Sequence, residues 1–179
     1  MNREHKKIFR WWWSWNAEKI SAWLEEMAAE GWVLERTGFA MIVFYFRRQA
    51  PRRISYCADF QSGDIQAYKA FIADSGWALV AEAGGWYLWA RDYRDGEARP
   101  EFFSDTESLV ARNRRLILFI IPIVMPQFYF VNLLLGRWWN KDSIFTICFT
   151  IFYLIIISFL TYAVIRTLGE IRRLKKKKY

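Results

Sequence analysis

Histidine is almost absent from this chain, and cysteine nearly so. His5 is the only histidine, and Cys57 and Cys148 are the only cysteines. A serine or cysteine triad needs a histidine base and a zinc site needs clustered His and Cys; neither pattern occurs. There is no P-loop and no GxGxxG, which removes the common nucleotide-binding fingerprints. Carboxylates alone can catalyse, but Glu25 and Glu26 are adjacent on a helical stretch, point in different directions and read as a solvated face. The expectation is a protein that is not an enzyme and uses no metal or cofactor. Cys57 and Cys148 lie in different regions and cannot bridge, which fits a reducing compartment. The N-terminus shows no short apolar stretch with a cleavage site, so no signal peptide is expected.

Charge is missing from two long stretches. Leu116–Leu135 and Ile144–Ile165 run for 20 and 22 residues without Asp, Glu, Lys or Arg. A bilayer core about 30 Å thick needs roughly 20 helical residues, so each run is long enough to span it. Only Gly136–Ser143 separates them, which predicts a helical hairpin that enters and leaves on one side. Arg112, Arg114 and Arg115 precede the hairpin, and Arg166, Arg172, Arg173, Lys175, Lys176, Lys177 and Lys178 follow it. The loop holds only Arg137 and Lys141, so the positive-inside rule places both termini in the cytoplasm. Trp138 and Trp139 in the loop suit the outer interface.

Residues 1–100 hold 14 Lys/Arg and 13 Asp/Glu, whereas residues 101–179 hold 12 and 5. The net charge of +8 therefore belongs almost wholly to the membrane half. A nucleic-acid reading wants a basic patch on the folded domain, and this balance argues against one. The tail Arg172–Lys178 is expected to rest on anionic headgroups or to act as a topology determinant alone.

The first 91 residues repeat with an offset of 45: Trp23 falls on Tyr68, Met27 on Ile72, Gly31 on Gly76, Trp32 on Trp77 and Leu34 on Leu79. Each copy reads as strand, helix, strand, strand. In the first, strand Lys7–Trp13 precedes a helix over residues 17–30 capped by Asn16 and ended by Gly31, then a hairpin of Trp32–Thr37 and Met41–Arg48. In the second, strand Arg53–Asp59 precedes a helix over Gly63–Ser75, then strands Trp77–Glu82 and Trp86–Arg91 joined through Gly84 and Gly85. The predicted fold class is α+β: a tandem strand–helix–strand–strand repeat building one mainly antiparallel sheet, two helices on one face, followed by the transmembrane hairpin. The expected organisation is a domain at residues 1–95, a linker and juxtamembrane helix at 96–115, the hairpin at 116–165 and a basic tail at 166–179. A capping-box pattern, Ser104 with Glu107, marks the start of that juxtamembrane helix.

At these residues the chain resembles a bacterial membrane family called domain of unknown function family 2812. The stretches carrying the likeness are Phe9–Trp32 (FRWWWSWNAEKISAWLEEMAAEGW), Tyr56–Gln61 (YCADFQ), Gly76–Trp77 and Gly84–Tyr87 (GGWY), over roughly residues 5–91. The resemblance implies C-terminal membrane spans, a bacterial cell membrane and an encoding beside PadR-like regulators. It implies no activity. In architecture alone the repeat also resembles gyrase-inhibitor-like ligand-binding domains, and such a likeness does not establish function.

Polar groups within the runs, Gln127 and Asn132 in the first and Thr146, Thr150, Tyr153 and Thr161 in the second, read as glue between helices. Buried charge, the usual mark of a transport path, is missing there. The leading functional expectation is a membrane-anchored cytoplasmic domain that binds a lipophilic ligand or a protein and takes part in regulation. Its expected site is an aromatic, helix-free sheet face with Trp12, Phe44, Phe46, Tyr87 and Trp89, and with Glu35, Asp59 and Glu82 nearby to favour a flat or cationic lipophile. The same rings also fit a core, or a seam covered by a second copy in a homodimer. A PadR-like regulator is a candidate partner, and the alternative role is an accessory subunit of a membrane complex.

Overall fold

A computed structural model describes residues 4–103, 106–136 and 144–176. The order is β1 (His5–Phe9), a 3-10 turn (Ser14–Asn16), α1 (Ala17–Ala29), β2 (Trp32–Gly38), β3 (Val43–Arg48), β4 (Ile54–Phe60), α2 (Ile65–Asp74), β5 (Ala78–Ala83), β6 (Trp86–Asp92), α3 (Thr106–Gly136) and α4 (Ile144–Lys176). The class is α+β, with strand, helix, strand, strand occurring twice before the two long C-terminal helices. The chain forms two compact units, Met1–Arg112 and Asn113–Tyr179. The first runs past residue 95 because Phe102 and Phe103 pack into its interior and Arg112 bonds to its β4 backbone.

Matching devices recur in the two halves. Gly31 and Gly76 follow α1 and α2 at φ +83° and +81°, where a side chain is disfavoured. The carbonyl just before each glycine is claimed by an arginine from the last strand of its half: Arg48 Nη1 donates to Glu30 O at 2.8 Å, and Arg91 Nη1 to Ser75 O at 3.1 Å. Both hairpins slip register at equivalent places, Leu34/Arg36 and Leu79/Ala81. Capping differs between the helices. Asp64 accepts from Ala67 N at 3.1 Å at the start of α2. Asn16 makes no side-chain cap, because it closes the 3-10 turn with φ −112° and ψ 16° rather than an extended backbone.

The strands form two three-stranded antiparallel sheets, β1-β3-β2 and β4-β6-β5, where a single shared sheet was expected. The helices do not share one face either. Along β4, Ile54, Tyr56 and Ala58 join a core made with Ile20, Leu24, Met27 and Ala28 of α1 and with Phe44 and Phe46 of β3. Cys57 points the other way, into a second cluster with Ile72 of α2, Trp77, Tyr87 and Trp89. The second sheet is thus covered by α1 on one face and α2 on the other, and every residue of β4 is buried. Its helices separate because each face of that sheet carries apolar residues to be covered.

β4 is an edge strand, and α1 and Arg112 occupy its free side. Tyr56 N donates to Glu25 Oε1 at 3.1 Å, and Arg112 Nη1 donates to Ala58 O at 3.3 Å. Open ladder groups are thereby satisfied inside the molecule.

α3, which begins in the first unit and continues into the second, and α4 are each long and apolar enough to cross a membrane. α3 continues as one helix through Pro122 and Pro126. Tyr153 and Gln127 hydrogen-bond across the pair, and Phe130 meets Tyr153 edge-on at 5.4 Å, so polar side chains do join these helices. α4 extends to Lys176, which makes the first part of the basic tail helical.

Candidate functional site

The rings expected to form an open aromatic face are core instead. Phe44, Phe46 and Trp89 are at most 1% exposed, and Tyr87 is buried beside Trp89. Phe44 and Phe46 meet Trp23 of α1 edge-on, at 5.1 and 5.6 Å. Trp12 is half-buried; its Nε1 donates to Met41 O at 2.7 Å and its ring meets Trp86 at 5.2 Å. The reason is that these rings lie on sheet faces that a helix covers. β1 also ends at Phe9, short of the tryptophans, so the strand alternation expected through Trp13 does not apply to them.

The carboxylates divide. Glu35 lies on the first sheet, where it pairs with Arg47 at 2.6 Å. Asp59, Tyr87 and Glu82 form one row across the second sheet under α2. In that row Lys69 of α2 pairs with Glu82 at 2.6 Å and lies 5.5 Å from the Tyr87 ring.

Beside the row is a buried polar chain. Trp89 Nε1 donates to Tyr68 Oη at 3.0 Å, and Tyr68 Oη donates to Asp59 Oδ2 at 2.8 Å, with Asp59 only 1% exposed. Burial, and then Asp59, push the Tyr68 hydroxyl well above its ordinary range. Burial and then Asp59 do the same to the Cys57 thiol, which is held protonated at neutral pH. A thiol in that state is a poor nucleophile.

A cleft of about 270 Å³ opens between α1, β4, the segment leading to α3 and the first turns of α3 itself, which supply Leu109 and Arg112. Arg112 forms its charged wall at 3% exposure, with Nη2 donating to Glu18 Oε1 at 2.7 Å and the guanidinium 5.6 Å from the Phe103 ring. Ala17, Phe102 and Phe103 supply apolar wall, and Arg99 closes one side through two bonds to Glu25, at 3.1 and 2.7 Å. An isolated buried guanidinium is costly, so it requires the carbonyl and carboxylate it finds here. The lining sets a guanidinium, paired with Glu18, beside two phenylalanine rings. Among the described residues, no group of three or more His, Cys, Asp and Glu is placed to hold a metal ion.

The family model described as Protein of unknown function (DUF2812) matches residues 16–125, more than half of the chain. The chain belongs to this family. No curated protein and no solved structure matches it. The family match includes α1, both hairpins, the cleft and the first part of α3, and extends well beyond residue 91 where the sequence likeness ended.

For this DUF2812 member, the cleft was not legible in the sequence, where Arg112 reads as one of the basic residues ahead of the first apolar run. The structure buries Arg112 in the first unit, while Arg114 is exposed and Arg115 half-buried. The partner Glu18 is 94 residues away, and no local spacing announces a pair of that separation. Lys175 and Lys176 are exposed at the end of α4. Trp138, Trp139, Lys177 and Lys178 lie outside the described residues.

Proposed function

We propose that this DUF2812 protein is a membrane-anchored binding and regulatory module that acts without turnover, taking a small lipophile with a polar end in the Arg112 cleft. The observation that carries this reading is the buried Arg112 guanidinium lining a cleft of about 270 Å³ beside Phe102 and Phe103. Binding pockets commonly combine apolar walls with a few fixed polar groups. Cys57 also lines the cleft, where burial and then Asp59 raise its thiol above the ordinary range. Mass spectrometry of the full protein purified in detergent tests it. A retained lipophile that Ala22→Trp expels supports the reading, since Ala22 is exposed on the cleft rim and the larger ring fills the opening. Retention unchanged by that substitution sinks it. A stoichiometric membrane protein in its place favours an accessory subunit, and a PadR-like regulator favours direct signalling.

The proposed location is a bacterial cell membrane, crossed twice with both termini cytoplasmic. Ten Lys/Arg flank the two apolar runs on one side against two in the loop between them, which supports this orientation. In intact cells an impermeant thiol reagent should modify Asn140→Cys and spare Glu97→Cys; the reverse pattern refutes the orientation.

A further inference from the structure

The helix-free face of the first sheet carries a gradient of polarity that neither the core nor the cleft explains. Register sets successive rows across β1, β3 and β2. One joins Lys7, Tyr45 and Arg36; the next, toward the end of the sheet, joins Phe9, Val43 and Gly38. Cross-strand partners share a face. Arg36 lies 3.7 Å and the Lys7 ammonium 5.6 Å from the Tyr45 ring, so two cations flank one aromatic platform. They line a groove of about 400 Å³.

Beyond the Phe9 row the surface turns aromatic. Arg10 N donates to Ile42 O at 2.8 Å, which keeps the chain after β1 beside the β2–β3 turn and brings Trp11 to the same end of the sheet as Phe39. In that turn Phe39, Ala40 and Met41 all have positive φ, at 38°, 50° and 59°. Three consecutive side chains in the left-handed region are strained, and such strain persists where the surroundings impose it or a function uses it. Here the turn leaves the Phe39 ring 81% exposed, alongside Phe9 at 65% and Trp11 at 53%. Large rings are normally buried, and three of them exposed at one sheet end mark an interaction site.

We propose that this end of the first sheet docks on an anionic bilayer surface, with Lys7 and Arg36 at the level of the lipid phosphates and Phe9, Trp11 and Phe39 entering the interfacial layer. Charge complementarity selects an anionic surface. The order of the rows selects a bilayer, because cations followed by exposed rings along one direction match the passage from headgroup to acyl boundary. Aromatic side chains favour that interface. The chain also carries two helices long enough to cross a membrane, so lipid is held at high effective concentration.

The test is a depth measurement on the full chain in vesicles, with a spin label at Phe39→Cys in a Cys57→Ala/Cys148→Ser background. In phosphatidylglycerol vesicles the label should lose access to a water-soluble nickel complex and gain access to oxygen. A label at Phe71→Cys, on exposed α2 surface, should stay in water and report an intact fold. Nickel access at position 39 should return in phosphatidylcholine vesicles, and in phosphatidylglycerol vesicles after Lys7→Glu/Arg36→Glu. A label at 39 that reads water in phosphatidylglycerol overturns the proposal. Immersion that survives both neutral lipid and charge reversal overturns it too. Crosslinking of position 39 to another protein in those vesicles assigns the face to a protein interface instead.

Discussion

Arg112 and Glu18 are 94 residues apart in sequence and 2.7 Å apart in space, with 3% of the arginine side chain exposed and 59% of the glutamate. One partner is dry and the other wet, so the two should respond unequally to removal. Arg112 also donates to Ala58 O, whose β4 edge has no neighbouring strand to take over that bond. Arg112→Ala is expected to cost about 3 kcal/mol through the orphaned carbonyl and the lost packing. Glu18→Gln, at the wet end, should cost less than about 1 kcal/mol. Denaturant midpoints followed by tryptophan fluorescence compare the two, and equal losses would contradict this account.

Gly31 and Gly84 both have positive φ, at +83° and +58°, yet only one is crowded. A Cβ at Gly31 would meet the Gln49 backbone oxygen at 2.6 Å, whereas one at Gly84 meets nothing within 4 Å. Gly31→Ala is expected to cost about 2–4 kcal/mol, from left-handed strain plus a clash the backbone cannot relieve cheaply. Gly84→Ala should cost about 1 kcal/mol, from strain alone. Equilibrium unfolding of the two variants checks the order.

Burial, followed by the nearby charge of Asp92, raises the Tyr56 hydroxyl from its usual 10 to about 12. The unfolded chain releases this proton near pH 10 and the folded chain holds it to about 12. Across that window the unfolded state binds fewer protons, so stability is complete below pH 10 and falls as pH rises toward 12. The loss attached to Tyr56 is on the order of 2 kcal/mol. A denaturation series through that window should show the decline, and Tyr56→Phe should flatten it.

Much of the fold was legible because its punctuation is local. Gly31 and Gly76 announced both helix ends, Gly84 and Gly85 the second hairpin, and charge-free length the two long helices. Pairing was not legible. Tyr56 and Cys57 are both apolar enough to be buried, so β4 carried no alternation to say that each of its faces would receive a helix. The tryptophan run misled for a related reason. Strand preference at Trp11–Trp13 is real but weak, and the indole of Trp12 is held by Met41 O across the β2–β3 turn while the chain bends into a 3-10 turn. Surplus rings suggested an open face, yet Phe44, Phe46 and Trp89 were needed to fill two separate clusters. The Arg112 cleft depends on residues from three distant stretches, and none is unusual where it stands.

The guarding of β4 has an implication for how the protein is made. Ile54–Phe60 is a wholly buried strand, the sort of segment that invites a foreign chain to pair when it emerges bare. Its two backbone guards arrive at different times. Glu25 sits on a segment synthesised before the strand, so the acceptor for the Tyr56 amide is already in the chain when the strand is made. Arg112 comes more than fifty residues after Ala58, immediately ahead of the first apolar run. Translation therefore leaves an interval in which the strand is half protected, and that interval ends just as the chain begins to present its first long apolar run.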